Sequence, residues 1–401
     1  MQKDAMQNNQ AVVPDYSGTQ ISLYPVQTDF QRRVVCILGL PFDVISTEQA
    51  VDQLSDAAHQ YRRCFLSTPN LNFAVASLAG GAFRDSVIRS DLSVADGMPL
   101  VWIAKLLGLP ISERVAGSTL FERLRMRKDG AEKLRVYFFG GPDGVAATAA
   151  EKLNASASGL LCTGYESPGF GSIEQMSTPA ILNRINASQA DFVVVALGAK
   201  KGQAWIEHNL DALNAPVISH LGAVVNFVAG TVERAPRWVQ RIGGEWLWRI
   251  WEEPSLWRRY LYDGFTLIKL MSRHVLPCAL MVRLRKPELD ALVSARIRLQ
   301  QHLSHISIHA SGAWDERNLT AVREIFTDAT MMPADIRIDF SEVTHVDSAC
   351  IALLLLLYGH QSKVQRDFIL HGVRPDVRRM LRLYCADYLI SAEQSAYVAA
   401  A

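Results

Sequence analysis

The 401-residue chain contains no Cys-x-x-Cys pair, no apolar run approaching twenty residues and almost no net charge, +1 at pH 7. Each absence excludes something. Six scattered cysteines (Cys36, Cys64, Cys162, Cys278, Cys350, Cys385) argue against a disulfide framework or a zinc site and fit a reducing cytosol. The first thirty residues are polar and lack the basic start and apolar run expected of a secretory signal, and the longest apolar run, Ala349–Tyr358, suits a buried helix rather than a membrane span. A near-neutral balance argues against nucleic acid as a partner. With 49% hydrophobic residues, the chain can bury large cores, and its length predicts two domains.

Against this sparse background one segment stands out. Arg234 to Tyr262 holds five of the eight tryptophans and six arginines, and residues 231–286 carry eleven Lys/Arg against five Asp/Glu. Trp has an apolar body with one N–H donor, and Arg lays its stem on apolar surface while offering its guanidinium to phosphate. Two structures fit: an amphipathic segment lying on a phosphate-bearing membrane, or a surface helix pair packed on the neighbouring domain.

From about Arg33 to Phe227, β-branched runs alternate with helical patterns, which predicts a parallel sheet covered on both faces. Strands are expected at Val34–Leu38, Cys64–Ser67, Leu92–Ala95, Val136–Phe139, Phe192–Ala196 and Pro216–Ser219. Ligand sites in such sheets lie beyond the carboxyl ends of the strands. There the sequence places Thr68-Pro69-Asn70, Asp96-Gly97, Gly140-Gly141, Gly198-Ala199-Lys200-Lys201 and His220-Leu221-Gly222. Glycine admits close backbone approach, and helix N-termini present free N–H groups to phosphate. The pattern points to a nucleotide or phosphosugar.

The segments LSTPNLNFAV, SVADGMPLVW, ERVAGSTLFERL, FFGGPDG, VVALGAKKGQAWI, GAVVNFVAGTVERAPRW and GEWLWRIWEEPSLWRRYL resemble the WecG/TagA/CpsF glycosyltransferases of bacterial surface-polymer synthesis. The resemblance spans roughly residues 33–270. It implies a Rossmann-like core that transfers a sugar, with inversion, from a UDP-sugar to a polyprenyl-diphosphate-linked glycan at the inner face of the cell membrane. The Trp/Arg segment takes the place of the family's membrane-contacting appendage, with Arg249, Arg258, Arg259, Trp246 and Trp257 as its candidate lipid or diphosphate contacts.

Inverting transfer needs a base for the acceptor hydroxyl and positive charge for the departing diphosphate. Asp96 is the candidate base; capping of the helix beginning near Met98 is its alternative role. The resemblance puts Thr68 beside it in catalysis. It assigns Asn70, Gly97, Arg114, Gly140, Gly141, Lys201, Gln203 and Asn226 to the UDP-sugar. Two positions depart from the family pattern: Lys200-Lys201-Gly202-Gln203 replaces Pro-Lys-Gln-Glu, and Asn226 stands where Asp is common. No Asp-x-Asp occurs in residues 1–285, so neither a metal nor any other cofactor is expected.

After the basic joint Arg283–Pro287 a second pattern begins, with strands expected at His305–His309, Ile336–Phe340 and Phe368–Leu370 and helices at Asp315–Thr327, Ser348–His360 and Pro375–Tyr384. IRIDFSEVTHVDSACIALLLLLYGH resembles the STAS domain of sulfate transporters and anti-sigma-factor antagonists, over about residues 298–392. This implies a docking role with a protein partner and, at Ser348, either a phosphorylation site or a helix cap. The expected division is a polar tail (1–32), a transferase core (33–233), an amphipathic appendage and linker (234–287) and a small α/β STAS-like unit (288–401). A homo-oligomer is compatible with all of this.

Overall fold

The computed structural model describes residues 24–127, 132–156, 158–233, 235–236, 239 and 243–390. Most of the polar tail, Arg234, Arg237, Trp238 and Arg241 of the Trp/Arg segment, and residues 391–401 lie outside the described set.

The first expected strand, Val34–Leu38, does not join the parallel sheet. Its residues form β1 (Val34–Ile37), which pairs with β2 (Leu40–Asp43) as a separate antiparallel hairpin. Leu38 (φ 51°) and Gly39 (φ 78°) both turn left-handed, the geometry that closes a two-residue hairpin. A short buried apolar run reads the same in either setting.

The central sheet is built from β3 (Cys64–Ser67), β4 (Leu92–Ser93), β5 (Leu134–Gly140), β6 (Leu160–Glu166), β7 (Phe192–Ala196) and β8 (Val217–His220). All six run parallel, in the order β4-β3-β8-β7-β5-β6. Near-continuous apolar runs such as Phe192–Val195 are buried on both faces, as a covered parallel sheet demands. One core packs beneath one face, around Phe121, Phe138 and Phe192. A second packs beneath the other, around Phe139 stacked on Trp205. β6 is not among the strands expected from sequence. It is an edge strand that alternates buried and exposed residues, with Leu161 and Tyr165 facing out, and its Thr-Gly step resembles a turn.

The second unit holds a four-stranded sheet. β9 (Arg296–Gln301) runs antiparallel to β10 (His305–Trp314), which is parallel to β11 (Asp335–Val346) and through it to β12 (Phe368–His371). The helices fall at Thr320–Thr330, Ser348–Lys363 and Pro375–Leu383. The largely apolar Ser348–Lys363 helix is buried nearly all round, because β1 and the Ala82–Arg89 helix of the first unit cover its outer side. One apolar cluster therefore runs through both units, taking in Val35, Ile37, Leu100, Ile338, Leu353 and Leu357.

The appendage comprises the Glu245–Glu252 helix and a continuous helical run, Trp257–Leu270, Met271–Val275 and Leu276–Leu284, the middle piece a π-turn. By length and composition the 28-residue run could cross a membrane. Its sequence is interrupted by Arg258, Arg259, Lys269, Arg273 and His274, which hides that length from a search for unbroken apolar stretches. One side, with Leu270, Val275, Cys278 and Ala279, is buried in the shared core. The other leaves Leu261, Tyr262, Phe265, Ile268, Leu276, Leu280 and Leu284 exposed.

Candidate active site

A cavity of about 760 Å³ opens at the carboxyl edge of the six-stranded sheet, roofed by the appendage. Residues after five strands meet there: Thr68 and Asn70 after β3, Asp96 and Gly97 after β4, Gly141 after β5, Gly198 after β7, and His220 at the end of β8. The order of the strands explains the convergence. β3 and β4 lie on one side of β8, and β7, β5 and β6 on the other, so the connections diverge and leave a crevice between them.

Asp96 does not cap the following helix. The cap position of Met98–Leu107 is Gly97, which makes no side-chain cap. The Asp96 carboxylate instead accepts the Gly117 N–H at 3.3 Å. Gly117 has no room for a side chain, since a Cβ there would lie 2.5 Å from Leu221 and 3.3 Å from Thr68. Burial pushes the Asp96 carboxyl from 3.8 up to about 6; Arg114, the Gly117 N–H and Arg249 pull it down, and Glu245 pushes it up. A carboxylate near 6 is matched to proton abstraction close to neutral pH.

Asn70 is both a cap and a wall of the cavity. Its Oδ1 accepts the Phe73 N–H at 3.1 Å, starting the Leu71–Ser77 helix, while the residue lines the cavity. Thr68, nearly buried, sits beside it. Arg114 points its fork at Glu245, in the first turn of the Glu245–Glu252 helix, with N–O distances of 2.5 and 3.1 Å. The pair joins core to appendage. Arg249, one turn on, lines the cavity and lies over the Phe227 ring at 5.9 Å. Arg259, Trp246 and Asn226 also line it.

Several expected contacts are placed elsewhere. Gln203 is buried at 1% exposure under the sheet edge, accepting from Ser86 Oγ at 3.0 Å and donating to Ser67 Oγ at 2.9 Å. Lys201 is half-buried on the same helix and outside the lining; the helix turns both side chains away once Gly198 has passed the strand end. Gly140 lies outside too: a Cβ there would meet the Ala196 carbonyl oxygen at 2.6 Å, so its role is to let β5 and β7 pair. Arg258 and Trp257 stack on each other at 5.5 Å away from the cavity, on the exposed side of the appendage.

Three cavity residues carry no site assignment from sequence. Glu245 lies in the appendage motif without a role of its own there. Asp263, 3% exposed on the long appendage helix, accepts from the Asn72 amide at 3.1 Å, and burial raises its carboxyl; a single Asp in an amphipathic stretch gives no signal. His220 reads in sequence only as a strand end. Burial lowers its imidazole to about 4 and keeps it neutral, and its Nε2 has no partner among the described residues.

Ser348 is 2% exposed. Its Oγ donates to the Cys36 carbonyl at 3.0 Å and accepts the Cys36 N–H at 2.9 Å, while Asp347 caps the helix by accepting the Cys350 N–H. The cap is therefore Asp347, not Ser348. A phosphoryl group on Ser348 would have no space without parting β1 from the helix.

A carboxyl raised by burial and guanidinium groups converge on one crevice in a parallel α/β sheet, an arrangement that can take up a proton and hold an anion. Likeness to known proteins narrows the class. Residues 35–277, more than half of the chain, match the model of the Glycosyl transferase WecG/TagA/CpsF family, and the protein belongs to that family. Residues 297–391 match the Mlab, STAS domain. An N-acetylglucosaminyldiphosphoundecaprenol N-acetyl-beta-D-mannosaminyltransferase of Bacillus spizizenii is 29% identical over 50% of this chain and 76% of its own length. The enzyme of the same name from Bacillus subtilis is 27% identical over 49% and 74%. Among solved structures, a GTP-binding protein from the archaeon Sulfolobus solfataricus in complex with GDP aligns over 64% of this chain and 90% of that chain, with 10% identity and a TM-score of 0.18, too low to relate the folds.

Proposed function

We propose that the protein transfers a sugar, with inversion, from a UDP-sugar to a polyprenyl-diphosphate-linked acceptor, working from the cytoplasmic side of the cell membrane. The observation that carries this is Asp96: a carboxyl raised to about 6 at the sheet's carboxyl edge, facing a cavity that also holds Arg114 and Arg249. The two Bacillus relatives are named for a diphosphoundecaprenol-linked acceptor, which supports the acceptor class.

In the proposed cycle Asp96 takes the proton of the acceptor hydroxyl as its oxygen attacks the anomeric carbon. The bond from that carbon to the diphosphate oxygen breaks on the opposite face, and the charge passes to departing UDP. Arg114 and Arg249 neutralise it, the guanidinium fork suiting two phosphate oxygens. Thr68 and Asn70, at the end of β3, hold the donor beside Asp96. The exposed apolar side of the appendage, with Trp246, Trp251 and Phe265, lies on the lipid that carries the acceptor.

The test is UDP release from a panel of UDP-sugars with a polyprenyl-diphosphate-sugar acceptor in vesicles. Acceptor-dependent release in wild type and its loss in Asp96→Asn are expected, and the productive donor names the sugar. Full activity in Asp96→Asn would remove the base assignment; no release with any donor would remove the transferase function.

A further inference from the structure

The serine motif of the STAS unit, which by its sequence pattern calls for a separate protein partner, is already occupied. Ser348 closes a two-way hydrogen bond with the Cys36 backbone. Around it Arg323 donates to the Phe30 and Arg32 carbonyls, Tyr388 donates to the Gly39 carbonyl at 2.6 Å, and Gly359 sits so close to the Ala82–Arg89 helix that a Cβ would lie 2.9 Å from the Ile88 carbonyl oxygen.

Two chains of contacts continue from this interface to the same strand. In the first, Lys363 pairs with Asp91 Oδ1 at 2.8 Å, and Asp91 Oδ2 accepts the Phe65 N–H of β3 at 2.9 Å. In the second, the Ala82–Arg89 helix is held by the Ser348–Lys363 helix through Tyr358 to Asp85 at 3.3 Å and Arg89 to Ser362 at 2.9 Å. That helix's Ser86 then holds Gln203, which donates to Ser67, the last residue of β3. Thr68 and Asn70 follow directly. A buried amide with both ends paired fixes its neighbours, because losing either bond leaves a polar group unsatisfied.

We propose that the partner of the STAS unit's serine motif is this chain's own transferase core, and that the unit acts as a clamp that positions the Thr68–Asn70 end of β3. Gln203 and Lys363 are positioning residues: neither lines the cavity. The catalytic part of this inference rests on the function proposed above.

The experiment uses the full chain with Lys363→Met, Gln203→Met and Lys363→Arg, read by hydrogen exchange of the Phe65–Phe73 amides and by transfer kinetics on vesicles. Faster exchange in that segment is expected for both Met variants. Their kcat should fall about three- to tenfold, the scale of losing one or two hydrogen bonds, with KM for the donor within about twofold. Lys363→Arg should restore both readouts. Unchanged exchange at Phe65–Phe73 in the Met variants, with faster exchange confined to the surface between the units, overturns the clamp. Exchange is measured without turnover, so an inactive wild type would sink the proposed function while the exchange result still decides the clamp.

Discussion

Replacing Asp96 by Asn should make the protein more stable while it stops working. A carboxyl moved from 3.8 in the unfolded chain to about 6 in the fold binds its proton more tightly in the fold. Between those values the folded state holds the proton and the unfolded state does not, so stability falls as pH rises through the window. The loss is complete above about 6. At roughly 1.4 kcal/mol for each tenfold change, ionised Asp96 costs the fold about 3 kcal/mol at neutral pH. Asn keeps the shape and an acceptor for the Gly117 N–H without the charge. Thermal melting of wild type and Asp96→Asn, followed from pH 4 to pH 8, should show curves that coincide near the acid end and separate to a few degrees above pH 6, the variant higher. UDP release measured in parallel should rise through about pH 6 in wild type and be absent in the variant. A variant equal to or less stable than wild type at pH 7 would refute the reasoning: Arg114 and the Gly117 N–H would then outweigh the desolvation of Asp96, and the carboxylate would be a structural ion.

Other outcomes follow from the same geometry. Glu245→Gln frees the Arg114 fork from a charged competitor, so UDP should bind about tenfold more tightly by calorimetry, and the acidic limb of activity should move to lower pH because Glu245 raises Asp96; weaker binding would mean that Glu245 orients Arg114 for the diphosphate instead. Trp251 and Phe265 are 82% and 66% exposed, and changing either to Glu should lower co-sedimentation with anionic vesicles at least about tenfold, as expected from a large side chain leaving lipid, with folding unchanged. Transfer should persist in excess EDTA; its abolition would show that a divalent metal holds the donor.

Much of the core was legible because its physics is local. The strands β3, β4, β5, β7 and β8 are apolar runs that only a covered sheet accommodates, and the rule that ligands lie beyond their carboxyl ends led directly to Thr68, Asn70 and Asp96, which line the cavity. The unbroken apolar run Ala349–Tyr358 similarly marked the buried helix of the STAS unit. The edge strand β6 was hidden because half of its residues face water. Gln203, Lys201 and Gly140 look like site residues from their neighbours in sequence, yet the turn of one helix and the close pairing of two strands take them out of the cavity.

By itself the sequence determined the family, the α/β class with its small second domain, and the amphipathic character of the appendage, all of which reside in residue type and short spacing. Only the tertiary structure decided which groups meet across long separations. Arg114 and Glu245 are 131 residues apart, and Cys36 and Ser348 are 312 apart. The former joins the appendage to the core beside Asp96, and the latter turns an apparent docking motif into an internal joint. Backbone hydrogen bonds and burial at such distances depend on how the layers pack, and no local pattern encodes that.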